Sequence, residues 1–389
     1  MLYLIFWFSL VLLVYVYIGY PVLVALLART SSTQTQSAVT GSDENLPFVS
    51  ILITAYNESA DIEATLANKQ ALDYSSDRIE VLVISDESDD GTDEIVQRFS
   101  DQSAIPIRLF RQSPRQGKTA GLNTLVREAK GSILLFSDAN SQWDSQTARQ
   151  LVSCFDDPNV GYVTGKMVYI NNDGSLVGDG CSAYMKYENW LREKETAIGS
   201  IVGVDGGIDA MRKDLYQPLR ADQLPDFVQP LKVIEQGHRV VYEPRALLKE
   251  AALDDSGSEF SMRVRVSLRA MWALKDMRHL MNPFTFGVFA VQLMSHKLLR
   301  YAAFMPLATF SLAALLLAGR GGIYALAFVG LVALYLLAWM GHIKSKDGNA
   351  TPVFFTVPYY FMLLNIASFK AASAFLKGEK KVVWNPRKG

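Results

Sequence analysis

From Met1 to Ala28 the chain carries no charged side chain, and its first cation is Arg29. A helix of that length, uncharged throughout, crosses the roughly 30 Å hydrocarbon core of a bilayer, so whatever else folds here is tethered to a membrane. A cleaved leader fits less well. The run lacks a basic start, exceeds the usual hydrophobic segment of roughly 7 to 15 residues, and Leu26 breaks the small-x-small cleavage pattern. Composition agrees, because 50% of the residues are hydrophobic and only 20% are charged, against roughly 25% in ordinary soluble domains. Thirty-eight Lys and Arg against 39 Asp and Glu give a net charge of -1, so no general basicity attracts nucleic acid, and no such partner is expected. Two cysteines, Cys154 and Cys181, are too few for a disulfide framework and match no zinc spacing. Reduced thiols in a cytosolic compartment are expected.

Beyond the first span (residues 1–28), residues 29–46 are rich in Ser, Thr, Gln and Asp and read as a polar linker. Residues 47–258 have the mixed patterning of a globular domain, and 259–300 read as amphipathic, interfacial helices. Residues 301–376 hold three apolar stretches long enough to span: Tyr301 to Ala318, Ile323 to Met340 and Pro352 to Leu376. The last contains Pro358, Asn365 and Lys370, which predict a kinked, re-entrant or cavity-lining segment. Phe284 to Met294 is too short to span and is expected to lie along the membrane, with His279 and His296 as interface residues rather than metal ligands. Arg263, Arg265, Arg269, Lys275, Arg278, Lys297 and Arg300 outnumber the nearby acids, so the positive-inside rule puts the globular domain in the cytoplasm, at the inner membrane. Three simple crossings then conflict with the basic tail 377–389, which the same rule keeps inside.

Within the globular domain, apolar runs alternate with helical patterns: Val49 to Thr54, Ile79 to Ser85, Ile105 to Phe110 and Ser132 to Phe136 read as strands, each followed by a polar turn. That alternation predicts an α/β fold with a mainly parallel sheet, whose ligands bind at the carboxyl ends of the strands. Glu58, Asp86, Asp90 and Asp138 all stand just after such runs. Acids after strands are often only turn formers and caps, but four in register suit a nucleotide and a divalent cation, Mg²⁺ or Mn²⁺.

These residues resemble the family 2 glycosyltransferases with the GT-A fold, and among them the membrane-bound branch of cellulose, hyaluronan and poly-N-acetylglucosamine synthases, over Pro47 to Arg300. The resemblance implies that Ala55, Tyr56, Asn57 and Glu58 form the opening loop beside the nucleotide. It implies that Asp86 contacts a uracil base, and that Lys118, in a segment with Gln116, Gly117 and Asn123, lies near the nucleotide. Asp138, Ala139 and Asn140 stand where the family has its DXD metal motif. The third position departs, so ligation carries over to Asp138, with Asn140 as a weaker contributor through its carbonyl. Asp205, Gly206 and Gly207 resemble the acceptor-side loop. Asp226, in Leu224 to Phe227 before a helical pattern, takes the place of the general base; Pro225 replaces a second acid, and Asp222 is an outside candidate.

Arg265 and Arg269, four apart on one helical face, could clamp a diphosphate or meet anionic headgroups. This stretch occupies the place of the QxxRW motif of the synthases, but its glutamine and tryptophan are not matched. What the resemblance implies is an inverting hexosyltransferase that uses a nucleotide-sugar, UDP-linked, with a glycan or lipid acceptor, for cell-surface polysaccharide synthesis, with export or accessory subunits as possible partners. Two alternatives stay open. One is a single-addition enzyme making a glycolipid or polyprenyl-phosphate sugar, and the other is an inactive nucleotide-binding partner of a synthase.

Overall fold

The computed structural model describes residues 1–31, 46–170, 180–251, 256–345 and 352–380. The chain divides into two compact units, a helical one within Met1–Ser31, Asn171–Lys194 and Ala252–Lys380, and an α/β one within Ser32–Ile170 and Glu195–Ala251. Most of the expected linker, 32–45, and of the tail, 381–389, lies outside the described residues.

Eight strands make one sheet in the α/β unit: β1 (Val49–Ala55), β2 (Ile79–Ser85), β3 (Ile107–Arg111), β4 (Ile133–Asp138), β5 (Gln142–Trp143), β6 (Val160–Ile170), β7 (Asp209–Arg212) and β8 (Arg239–Ala251). Their order is β3-β2-β1-β4-β7-β6-β8-β5. β1 and β2 are buried along their whole length, as expected of central strands covered on both faces, and Ile51, Ile53, Val81 and Val83 sit in the main core. β3, β2, β1 and β4 run parallel, with Ala55 opposite Ser85 and Thr54 opposite Asp138. The polar turns after β1, β2 and β4 therefore open at one edge, side by side.

The expectation of a mainly parallel sheet holds for this half only. β7 runs antiparallel to both β4 and β6, β5 runs antiparallel to β8, and β8 alone is parallel to β6. The reversal has a purpose in the architecture. Because Phe136 on β4 faces Asp209, the first residue of β7, the loop before β7 ends at the same edge as the turn after β4.

Among the described residues of the helical unit three helices are long and apolar enough to cross a membrane: Leu2–Thr30, Gly322–Ser345 and Val353–Leu376. Phe6 is fully buried, with its ring 5.0 Å from those of Phe310 and Tyr324. A Cβ on Gly341 would stand 2.5 Å from the Phe355 carbonyl, so glycine lets two of these helices approach closely, as small residues do in membranes.

Four readings of this region change. Tyr301 to Ala318 is not one straight span: the helix Phe304–Leu317 starts after a 54° bend at Ala303, and with the preceding run from Pro283 it forms a fourth, broken candidate. Pro306 explains the break, since it has no N–H for the Ala302 carbonyl and its ring crowds that oxygen. The short piece expected to lie along the membrane belongs to that same run. Of the kinked, re-entrant or cavity-lining forms expected of Val353–Leu376, the continuous helix excludes the re-entrant one and keeps the last, since Asn365 lines a cavity; Pro358 lies near the helix start, where it removes a single helical bond. His296, expected at the interface, is buried.

Candidate active site

Each turn at the parallel edge is built by ties to its neighbour. After β1, Asn57 adopts a left-handed φ of 54°, its N–H donates to Ser88 Oγ at 3.1 Å, and its Nδ2 donates to Asp89 Oδ1 at 2.8 Å. The Glu58 N–H donates to Thr92 Oγ1, and the Ser59 N–H to Asp90 Oδ2 at 3.0 Å. Slight burial opposes ionisation of Asp90, but hydrogen bonds from Thr92 and Ser59 outweigh it and lower its acidity range below that of an ordinary carboxyl. The loop Ala55 to Glu58 is therefore held by the second turn rather than by its own strand.

Asp86 is buried at the end of β2, where its oxygens accept from the N–H groups of Gln116 and Gly117, from Gln112 Nε2, and from Arg115 Nε at 3.1 Å. The Arg115 guanidinium in turn lies 3.3 Å over the ring of Tyr56. Asp86 thus anchors the loop that leads to Lys118, the first residue of the helix Lys118–Glu128. Arg115 and Gln112 were not marked by the sequence, in which they belong to an unremarkable connection after a strand.

Lys118 is the centre of the arrangement. Its Nζ stands 2.8 Å from Asp138 Oδ1 and 3.3 Å from Asp226 Oδ2, linking the end of β4 to the first turn of the helix Pro225–Glu235. Burial opposes the charge on this lysine, yet the two carboxylates overcome the opposition and raise its affinity for the proton. The approach of Asp226 is fixed from the helix Lys118–Glu128: Thr119 Oγ1 donates to the Gln223 carbonyl at 2.9 Å, and Asn123 bonds both the N–H and the carbonyl of Leu219. Asp222 is paired instead with Arg220 at 3.1 Å.

The loop before β7 closes the other side. Gly206 and Gly207 have φ of 76° and 72°, and a Cβ on the first would come within 3.1 Å of the Asp226 carboxyl. On the second it would come within 3.1 Å of Asp138 Oδ2. These glycines keep open the space in front of both acids. Asp205 accepts a long, 3.5 Å bond from the Met167 N–H.

Two buried groups at this edge were missed. Lys69, 1% exposed, donates to the Ser141 carbonyl at 2.7 Å and lies over the Trp143 ring, so it pins the turn that carries Asp138 and Asn140 from behind. Burial drives its proton affinity well down, against the pull of Asp138. Asp209 is fully buried; desolvation first, and the charge of Asp226 second, push its carboxyl well above the ordinary range. No sequence signal separates Lys69 from an exposed helical lysine, whereas an acid opening a β-strand could have been flagged.

A divalent cation can be tested against these groups. Among the described residues no cluster of three His, Cys, Asp or Glu could hold a metal by itself. Asp138, part-exposed, with the Asn140 carbonyl two residues on, fits instead a cation that takes its remaining ligands from a diphosphate and water, as Mg²⁺ commonly does. Arg265 and Arg269 lie on the helix Ser256–Asp276 of the helical unit.

A four-stranded parallel half joined to a mixed half, with acids gathered at one edge, is the GT-A arrangement of nucleotide-sugar transferases. The family model for glycosyl transferase family 2 matches residues 50–220 of this chain. It is 30% identical to the β-monoglucosyldiacylglycerol synthase of Trichormus variabilis over 43% of this chain and 36% of the relative. To the poly-β-1,6-N-acetyl-D-glucosamine synthase of Staphylococcus aureus it is 25% identical over 57% of this chain and 54% of the relative. The chain thus spans about a third to a half of the length of these curated relatives. A solved structure titled mannosyltransferase PcManGT from Pyrobaculum calidifontis, in complex with GDP-Man and Mn²⁺, is similar in fold, with a TM-score of 0.71 and 22% identity over 97% of this chain and 100% of that one.

Proposed function

We propose that the chain is an inverting hexosyltransferase that moves a sugar from a nucleotide-sugar to the hydroxyl of a glycan or lipid acceptor at the inner face of the membrane. The observation that carries this reading is the single lysine between two carboxylates from distant parts of the chain, Lys118 with Asp138 and Asp226.

In this reading Asp226 accepts the proton of the acceptor hydroxyl as its oxygen attacks the anomeric carbon and the bond to the diphosphate breaks. The nucleoside diphosphate departs, and the configuration inverts. Lys118 turns from the carboxylates to the incoming diphosphate, which frees Asp226 to act when a donor is present. Bound Mg²⁺ or Mn²⁺, held by Asp138 with the Asn140 carbonyl, supplies positive charge to the leaving group. The loop Ala55 to Glu58 and the Asp86-anchored segment form the nucleotide wall; for Asp86 to contact a base directly, one of its present donors has to give way. Asp205, Gly206 and Gly207 leave room for the acceptor, and Arg265 and Arg269 serve as diphosphate or headgroup cations.

A second reading, one sugar added to a lipid rather than a polymer, is favoured by the three or four candidate spans among the described residues and by the unmatched glutamine and tryptophan of the QxxRW motif. It also suits the similarity to a β-monoglucosyldiacylglycerol synthase. Purified protein assayed with radiolabelled UDP- and GDP-sugars, with and without EDTA, tests both: a ladder of products supports polymerisation, one product supports single addition. Asp226→Asn should lower turnover by about 10²- to 10⁴-fold with donor binding retained. Unchanged turnover removes Asp226 as the base.

A further inference from the structure

Trp143, on β5 and buried, has no part in the transfer reading, yet it touches both sides of the site. Its indole N–H donates to the Gly207 carbonyl at 2.9 Å. Its backbone is held as firmly: the N–H donates to Asn68 Oδ1 at 2.9 Å, and the carbonyl accepts from Asn68 Nδ2 at 2.8 Å. Lys69 places its ammonium 4.2 Å from the centre of the indole ring and donates to the Ser141 carbonyl at 2.7 Å and to Asn68 Oδ1 at 3.0 Å. Trp143 therefore belongs to one bonded block with the helix Ile62–Gln70 and the turn that carries Asp138 and Asn140.

The loop before β7 depends on ties of this kind, because Gly206 and Gly207 have no side chains to pack and both sit at positive φ, with much backbone freedom to lose. Gly207 lies between Trp143 and the turn after β4: its carbonyl takes the indole N–H, and a Cβ on it would stand 3.0 Å from Ser141 Oγ and 3.1 Å from Asp138 Oδ2. The bonds of Asp205 to Thr164 and Met167 are longer, at 3.5 Å each. Only an indole donates from this place, since Phe has no donor and Tyr carries its own at the far tip of the ring.

We propose that Trp143 is a positioning residue: through its bond to Gly207 it fixes the acceptor-side loop against the turn that carries Asp138 and Asn140. The proposal rests on the transfer reading and adds to it a link between the cation side and the acceptor side. Because Asp138 Oδ2 faces Gly207, a charge taken up by that carboxylate acts on the loop as well, and the indole holds the Gly207 carbonyl so that the space in front of Asp226 keeps its shape. Loss of the bond loosens the acceptor side and leaves the cation side, held by Lys69 and Asn68, as it is.

The full chain in detergent is labelled with 5-fluorotryptophan, and the Trp143 resonance is the one that Trp143→Phe removes from the fluorine spectrum. Adding Mg²⁺ with UDP or GDP should shift that resonance. In parallel, Mn²⁺ binding is followed by electron paramagnetic resonance, and radiolabelled UDP- and GDP-sugars are incubated with membrane lipids so that transferred sugar can be compared with sugar released to water. Trp143→Phe should hold Mn²⁺ affinity within about twofold and lower the ratio of transferred to released sugar about 3- to 10-fold, the worth of one hydrogen bond. A benzothiophene analogue of tryptophan at position 143, which keeps the ring shape and lacks the N–H, should do the same and serves where the phenylalanine protein does not fold. A parent protein that binds neither Mn²⁺ nor nucleotide removes the transfer reading and the proposal with it. A parent that binds both while the Trp143 resonance stays still overturns the proposal alone, as does a folded variant with an unchanged ratio, or one whose Mn²⁺ affinity falls in step with transfer.

Discussion

Replacing Lys118 with methionine should move two affinities in opposite directions. In the ligand-free protein the ammonium sits 2.8 Å from Asp138, the carboxylate that a divalent cation would need. A lysine and a divalent ion sharing that side chain would stand about 5 Å apart, where their repulsion is about 1.7 kcal/mol in bulk water, and physiological salt reduces it to about 1 kcal/mol. The high-dielectric figure is the appropriate one, because the Asp138 side chain is 43% exposed. Lys118→Met should therefore bind Mn²⁺ about fivefold more tightly without nucleotide, measured by the electron paramagnetic resonance of free Mn²⁺ at 0.15 M salt. The same variant loses a charge-assisted bond to the diphosphate, so UDP or GDP binding in EDTA, followed by calorimetry, should weaken about 10- to 100-fold. Mn²⁺ binding that is unchanged or weaker in a folded variant refutes the placement of the lysine on Asp138. Nucleotide binding that is unchanged refutes its transfer to the donor.

Asp209 makes stability fall as pH rises. A buried carboxyl whose affinity for the proton is raised in the folded state costs nothing below its unfolded range, near pH 4, and destabilises the fold progressively above it, by up to about 1.4 kcal/mol per pH unit. The thermal midpoint of Asp209→Asn should pull ahead of that of the parent protein between pH 5 and pH 8; parallel curves would count against a buried, protonated acid. Gly206→Ala places a side chain at a φ of 76° and 3.1 Å from Asp226, at a cost of about 1–2 kcal/mol from the backbone alone. Transfer should fall further than stability predicts, while Gly199→Ala, whose Cβ would meet nothing within 4 Å, should leave both unchanged.

What could be read in the sequence follows from periodicity. Buried parallel strands announce themselves as short apolar runs, and because β1, β2 and β4 end in register, acids that merely follow three such runs become neighbours. Asp138 and the loop Ala55 to Glu58 were legible for that reason. The far half of the sheet was not, since its strands pair across long loops and their direction depends on where those loops start. Helix breaks cannot be read from prolines alone: Pro306 bends the chain at Ala303, while Pro358, near a helix start, does not interrupt Val353–Leu376. A proline has its effect through the carbonyl four residues back, and whether a neighbouring element compensates is a fact of packing.

The charges that matter most were the least visible one at a time. Lys118 and Asp226 are 108 residues apart, and nothing in either neighbourhood names the other; their meeting depends on Thr119 and Asn123 holding the segment before Asp226 to the helix that Lys118 begins. Two carboxylates linked by bonds of 2.8 and 3.3 Å to one nitrogen can be no farther apart than about 6 Å, where without a cation they would repel by several tenths of a kcal/mol in water and more in a partly buried cleft. The lysine removes that repulsion while the cleft is empty. A diphosphate that draws it away must bring counter-charge for Asp138 or leave both acids exposed to each other. In the proposed reading, loading the donor and releasing Asp226 for proton transfer are then one electrostatic exchange, carried by the same three side chains, Lys118, Asp138 and Asp226, that neutralise one another without it.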